Sequence, residues 1–199
     1  MIKRKPIKNK VMAIVHGQSE YCICCSIKSN LRIKHEIIAR DKGKTSIQVN
    51  GIMNILKDSR FCSFKNFIKS FPDIEHEKNV LLNFRLFIIM DLDDCSPKTK
   101  SCFLDKSLFK NHWLYNYITP IYNDPNLEKT MEEAGIQVQK KKDYIVIFPT
   151  NHGDLDVDIA KNFRETLKKC KCTNLEEYVE YCLSVIPQAE FNPKERDAL

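Results

Sequence analysis

No apolar run in the 199-residue chain approaches the roughly 20 residues that a membrane-crossing helix requires. The longest, Phe84 to Met90, is broken by Arg85, and no membrane partner is expected. The basic start, MIKRKPIKNK, is followed by only Val11 to Val15 before His16 and Gly17. That segment is short for the apolar region of a secretory leader, so a cytoplasmic address is expected. Internal repeats are missing, as is low-complexity sequence beyond the lysine-rich start. Zinc-like spacing is missing too, because Cys22-Ile-Cys24-Cys25 and Cys170-Lys-Cys172 do not leave two to four residues between paired ligands. Nine cysteines cannot all pair within one chain, and with no secretory signal they read as free thiols in a reducing compartment.

An excess of one charge is confined to the start. The net charge is +6, but Lys3, Arg4, Lys5, Lys8 and Lys10 leave 27 basic against 26 acidic residues elsewhere. A basic arm can add salt-sensitive attraction to phosphates, and lysine-rich termini are also ordinary solubility features. With 43% hydrophobic and 29% charged residues, the chain has enough apolar material for one core and too much for a disordered tail. The expected organisation is a flexible arm over 1–10, one domain over 11–186 and a charged tail over 187–199.

Wholly apolar runs mark strands buried on both faces. Val11 to Val15, Leu86 to Met90 and Tyr144 to Phe148 are such runs, and Ile33 to Ala39 adds a β-branched one. Helical periodicity or capping signals fall between them, over Tyr21 to Leu31 with Ser19 as N-cap, Ile47 to Lys57, Phe61 to Phe71, Asp158 to Lys171 and Leu175 to Val185. A helix-rich stretch is expected from Cys102 to Gly135, with Asp124 as N-cap and Pro125 at the first position of a helix. Alternation of this kind predicts an α/β fold with a mostly parallel sheet of about four strands, flanking helices and a helical insertion after Asp94. Trp113, Tyr115 and Tyr117, inside that insertion, read as core or interface rather than a base-stacking platform.

Ligands in such sheets gather at the carboxyl ends of strands. Two elements lie there: His16-Gly17-Gln18-Ser19-Glu20 after the first strand, and Asp91-Leu92-Asp93-Asp94 after the Leu86 run. Carboxylates two residues apart can face one hard cation, which polarises a phosphate and activates a water. Asp154, Asp156 and Asp158 form a further acidic series, readable as a third metal-facing element or as acids at the start of a helix.

An apolar strand ending in a glycine turn, a Lys44-Thr-Ser46 loop before a helix and an apolar strand ending in Asp-x-Asp together resemble the Toprim domain of topoisomerases, primases and OLD-type nucleases. The resemblance spans about residues 10 to 160. It implies that Asp91 and Asp93, with Asp94 beside them, hold Mg2+ or Mn2+ for phosphodiester chemistry. His16 stands where that family has its first glutamate, so Glu20 is expected as an auxiliary ligand and His16 as a base or ligand. Lys42, Lys44, Lys140 and Lys141 are candidate contacts to substrate phosphates. The expected function is a magnesium-dependent nuclease on DNA or RNA, and the resemblance also implies a place in phage defence. A protein partner or a second copy of the chain could complete the site. One alternative is a non-catalytic module binding nucleic acid or protein. Another is a histidine phosphatase, because His16-Gly-Gln-Ser-Glu20 resembles that family's Arg-His-Gly-x-Ser/Thr-Glu motif; here Val15 replaces the arginine, and His152 is the candidate second histidine.

Overall fold

A computed structural model describes residues 8–136, 140–145 and 157–186 of the chain. In order, they form β1 (Val11–Val15), α1 (Gln18–Leu31), β2 (His35–Ile38), α2 (Ile52–Leu56), α3 (Phe64–Ser70), the hairpin strands β3 (His76–Glu77) and β4 (Val80–Leu81), β5 (Arg85–Asp91), α4 (Pro97–Leu104), β6 (Ile118–Asn123), α5 (Leu127–Glu133), α6 (Val157–Leu167) and α7 (Leu175–Ser184). β2, β1, β5 and β6 make a four-stranded sheet in that order, and each neighbouring pair is parallel. The α/β architecture expected from the sequence is therefore present, and no helix among the described residues is long and apolar enough to cross a membrane.

Burial on both sides explains why the central strands are apolar throughout. Side chains alternate across a strand. Val11, Ala13 and Val15 join Phe87 and Ile89 in one core, beneath Ile23, Ile27, Phe163 and Tyr178 of α1, α6 and α7. Met12 and Ile14 join Leu86, Ile88 and Met90 in a second core, on the other face, with Ile52, Phe67 and Phe103. Trp113 belongs to this second core, edge-on to Phe64 and Phe67, and its indole N–H donates to the Phe61 carbonyl at 2.6 Å.

The fourth strand is not the one the sequence suggests. Lys141–Ile145 forms a 3-10 turn, while residues 146–148 of the expected strand lie outside the described residues. Ile118–Asn123, expected within a helix-rich stretch, takes the place at the sheet edge. Pro120 masked this strand, since proline has no N–H to donate to a ladder; it is tolerated because β6 is an edge strand. Side chains of the loop before α7 satisfy that edge instead. Asn174 Nδ2 donates to the Pro120 carbonyl at 3.1 Å and its Oδ1 accepts from the Tyr122 N–H at 2.9 Å.

Several element ends also differ from expectation. Gly17, not Ser19, is the N-cap of α1, because the Glu20 carboxylate supplies the capping acceptor. Residues Val49–Gly51 are 3-10 rather than α-helical, and α2 begins only at Ile52. Asn126 caps α5 through its side-chain oxygen, which accepts from the Lys129 N–H at 3.1 Å; Asp124 and Pro125 lie before it, joined by a cis bond. The nine cysteines are free thiols, four of them buried.

The chain passes from β1 to β2 on one side, then returns to β5 on the other side of β1. This reversal opens a crevice at the carboxyl ends of β1 and β5, where α/β sheets place their ligands. A loop over residues 41–46 clasps the turn between β1 and α1. Its Gly43 has φ +86°, and a Cβ there would lie 2.6 Å from the Gln18 Cα and 2.7 Å from the Gly17 carbonyl. Left-handed strain and backbone overlap together should make Gly43→Ala destabilising by about 2–4 kcal/mol. Gly51, with open space around its Cα, is the control, and Gly51→Ala should be neutral or stabilising by about 0.4–1 kcal/mol. Urea unfolding midpoints of the two variants check this; equal midpoints would refute the tight crossing.

Candidate active site

Parallel pairing of β1 with β5 places Val15 beside Ile89, so the residues that follow emerge at the same end of the sheet. His16 extends the ladder, its N–H donating to the Ile89 carbonyl at 2.9 Å. Its carbonyl accepts from the Ile47 N–H at 2.7 Å, which ties the clasping loop to the same point. Asp91 closes β5 and is 5% exposed. The His16 Nε2 lies 3.9 Å from the Asp91 Oδ2, beyond hydrogen-bond distance but close enough for charge to be felt.

Glu20 sits in the first turn of α1 and folds back, its Oε2 accepting from the Gly17 N–H at 2.9 Å. The residue is 3% exposed, and its other oxygen, Oε1, is buried with no hydrogen-bond partner. Asp91 is better held: its Oδ1 accepts from the Leu127 N–H at 3.0 Å and from Asn123 Nδ2 at 3.3 Å. Asn123 is fully buried and accepts in turn from the Thr173 hydroxyl at 3.0 Å, which fixes the amide's orientation. The His16 Nδ1 is buried without a partner.

Burial raises both carboxyls. Glu20 is pushed up to about 8, chiefly by desolvation and then by the neighbouring Asp91, against the lowering effect of the Gly17 N–H. Asp91 is pushed up to about 6 by desolvation, with His16 and the Asn123 amide opposing. Two acids this dry, one of which feels the other's charge, do not both remain ionised without a cation nearby.

The other expected site residues are distributed unequally. Asp93 is exposed and accepts from Asn126 Nδ2 at 3.1 Å. Asp94 is half-buried, with its Oδ1 unpartnered, and burial raises its carboxyl against the pull of His16. Lys42 and Lys44 are exposed on the clasping loop, flanking Gly43. Lys140 is exposed, and Lys141 pairs with Glu128 at 3.0 Å. Asp158 is exposed in the first turn of α6; Asp154, Asp156 and His152 lie outside the described residues.

Two participants escaped the sequence. Asn123 and Glu128 flank the end of β6, and with that strand unrecognised nothing placed them at the crevice. The turn-forming run Asn123-Asp-Pro-Asn126 was the available signal, because it marks a boundary between a strand and a helix as readily as one between two helices. Ser19 also differs in role: its hydroxyl donates to Glu128 Oε1 at 2.9 Å rather than capping α1.

Among the described residues, no three His, Cys, Asp or Glu side chains stand close enough to form a complete cage for a metal ion. A smaller donor set is present, Glu20 and Asp91, with one carboxylate oxygen that the protein leaves unsatisfied. No protein-family model, curated protein or solved structure matches the chain.

The raised Glu20 carboxyl has a consequence for stability. The folded chain holds a proton that the unfolded chain releases near the ordinary value of 4.5, so stability falls as pH rises from about 4.5 to about 8 and then levels. Glu20→Gln removes that ionisation. Each kcal/mol corresponds to about 2–4 °C in a chain of this size, and the variant's Tm should gain at least that much on wild type between pH 5 and pH 8. Thermal melts in chelator check it, and curves that stay parallel across this range would refute the burial of an ionisable Glu20.

Proposed function

We propose that the chain is a divalent-cation-dependent phosphoryl-transfer enzyme on a Toprim-like domain, a nuclease acting on DNA or RNA. The observation that carries this reading is the pair Glu20 and Asp91, desolvated together at the switch point of a parallel sheet, with one Glu20 oxygen lacking any protein partner. Burying carboxylates in this way costs stability, and a cation reverses the cost. Magnesium suits the donor set, because it takes one or two carboxylates, retains water and shares its remaining positions with substrate phosphate. When bound, such an ion polarises a phosphoryl oxygen and lowers the pKa of its water.

The chain's own groups divide the remaining work. Gly17 N–H holds one oxygen of Glu20, and Leu127 N–H with Asn123 holds one oxygen of Asp91, so each carboxylate is oriented before any ligand arrives. His16 lies beside Asp91, its Nε2 3.9 Å from the Asp91 Oδ2, which suits it to take up a proton from an attacking water. Lys42 and Lys44 provide exposed positive charge on the loop that clasps the β1–α1 turn, where a nucleic-acid backbone would lie. Asp93, held by Asn126 at the rim, adds a further acid within the Asp91-Leu-Asp93 motif. The resemblance of that motif and of the His16-to-Glu20 turn to Toprim sequences agrees with this assignment. The phosphatase reading fares worse, since the carboxylates around His16 would repel a phosphate in the absence of a cation.

Manganese calorimetry beside cleavage of labelled single- and double-stranded DNA and RNA tests the proposal. Wild type should bind the ion and cleave only in its presence. Asp91→Asn should weaken binding and lower cleavage by at least about 100-fold, since even outer partners of such ligands matter by 10- to 100-fold. Failure of wild type to bind manganese would leave a non-catalytic binding module as the reading.

A further inference from the structure

Three first-turn and strand-end residues are interlocked around the crevice in a way that the Glu20–Asp91 pair alone does not require. Ser19 precedes Glu20 and donates to Glu128 at 2.9 Å. Leu127 precedes Glu128 and donates to Asp91 at 3.0 Å. Glu128 and Asp91 are thus each anchored by the neighbour of another carboxylate, and these two hydrogen bonds tie α1 to α5 and α5 to β5. Glu128 lies within electrostatic reach of both Glu20 and Asp91. The unpartnered Glu20 oxygen, in a residue only 3% exposed, is a second and independent sign that this point is built for a ligand.

Among the described residues, Lys141 is the cation paired with Glu128. Its ammonium stands 3.0 Å from Glu128 Oε1 and within electrostatic reach of Glu20 and Asp91. Tyr144, buried one turn later, fixes the segment against the core that contains α1. A lysine so placed neutralises the same carboxylates that a divalent ion would neutralise. It engages Glu128 in this structure, where no three such side chains among the described residues stand close enough to cage an ion.

We infer that Glu128 is a third carboxylate ligand of the cation site, and that Lys141 is the intramolecular cation that a divalent ion displaces from it. The inference rests on the proposed cation site. Displacement frees the Lys141 ammonium at the edge of the crevice, where it can meet a substrate phosphate. No covalent step is involved: one ion pair is exchanged for another, and the lysine keeps its proton.

The two partners of this ion pair should then act in opposite directions. If Glu128–Lys141 were only a structural bridge, removing either side would disturb the site in the same direction or leave it unaffected. Manganese calorimetry on the full chain at low salt reads this directly, without any assay of activity. Glu128→Gln should weaken binding by about tenfold or more, as loss of a ligand does. Lys141→Met should tighten it severalfold, because the competing cation is gone. Lys140→Met, an exposed neighbour on the same segment, should stay within about twofold. Glu128→Asp separates ligation from charge: it keeps the charge but withdraws the carboxylate by one methylene, and should bind as weakly as the Gln variant.

Unchanged binding in Glu128→Gln, full binding in Glu128→Asp, or weaker binding in Lys141→Met would each overturn the inference. Loss of the ion in Asp91→Asn with no change in Glu128→Gln would overturn this inference alone and leave the proposed function standing. Absence of manganese binding in wild type would overturn both.

Discussion

Everything at the crevice depends on the parallel pairing of β1 with β5. That ladder sets Val15 beside Ile89, so that the chain leaves one strand at His16 and the other at Asp91 on the same edge of the sheet. Hydrophobic burial holds the register, because a slip of one residue would exchange the two cores: Val11, Ala13 and Val15 would turn to the side now occupied by Met12 and Ile14. The strand order adds the reversal that keeps the space between the two exits open to a ligand.

Around that point the protein accepts an electrostatic penalty. Glu20 and Asp91 are both desolvated, and backbone N–H groups from Gly17 and Leu127 offset only part of the cost. A chain selected for stability alone would place apolar or amide side chains there. Local conflict of this sort is what functional sites look like in otherwise consistent folds. The rest of the fold compensates with two cores that bury nearly all of the apolar side chains of the central strands.

Support for the site comes from elements far apart in sequence. Thr173, before α7, holds Asn123, which holds Asp91; Asn174 next to it completes the hydrogen bonds of the β6 edge around Pro120. Residues 41–46 reach back to cover the β1–α1 turn, and the 140–145 segment brings Lys141 to Glu128. The C-terminal helices therefore do more than cover one face of the sheet, since the loop that introduces α7 fixes the orientation of an amide against the central carboxylate.

Sequence periodicity and composition by themselves determined the α/β class, the three-quarters of the sheet made by β1, β2 and β5, most helices and the placing of His16, Glu20 and Asp91 at strand ends or in the first turn of a helix. These features are local: apolar runs, glycine turns and capping residues act within a few positions of one another. Tertiary structure alone decided the fourth strand, because Pro120 forbids an interior strand and only the side chains of Asn174 make it acceptable at an edge. It likewise decided that Asp91 is buried while Asp93, two residues on, is exposed beside Asn126, a difference that spacing does not encode. Glu128 belongs to the same class: its position depends on where β6 ends and α5 begins, and that was settled by packing across more than a hundred residues of chain, seen most directly in its hydrogen bond from Ser19.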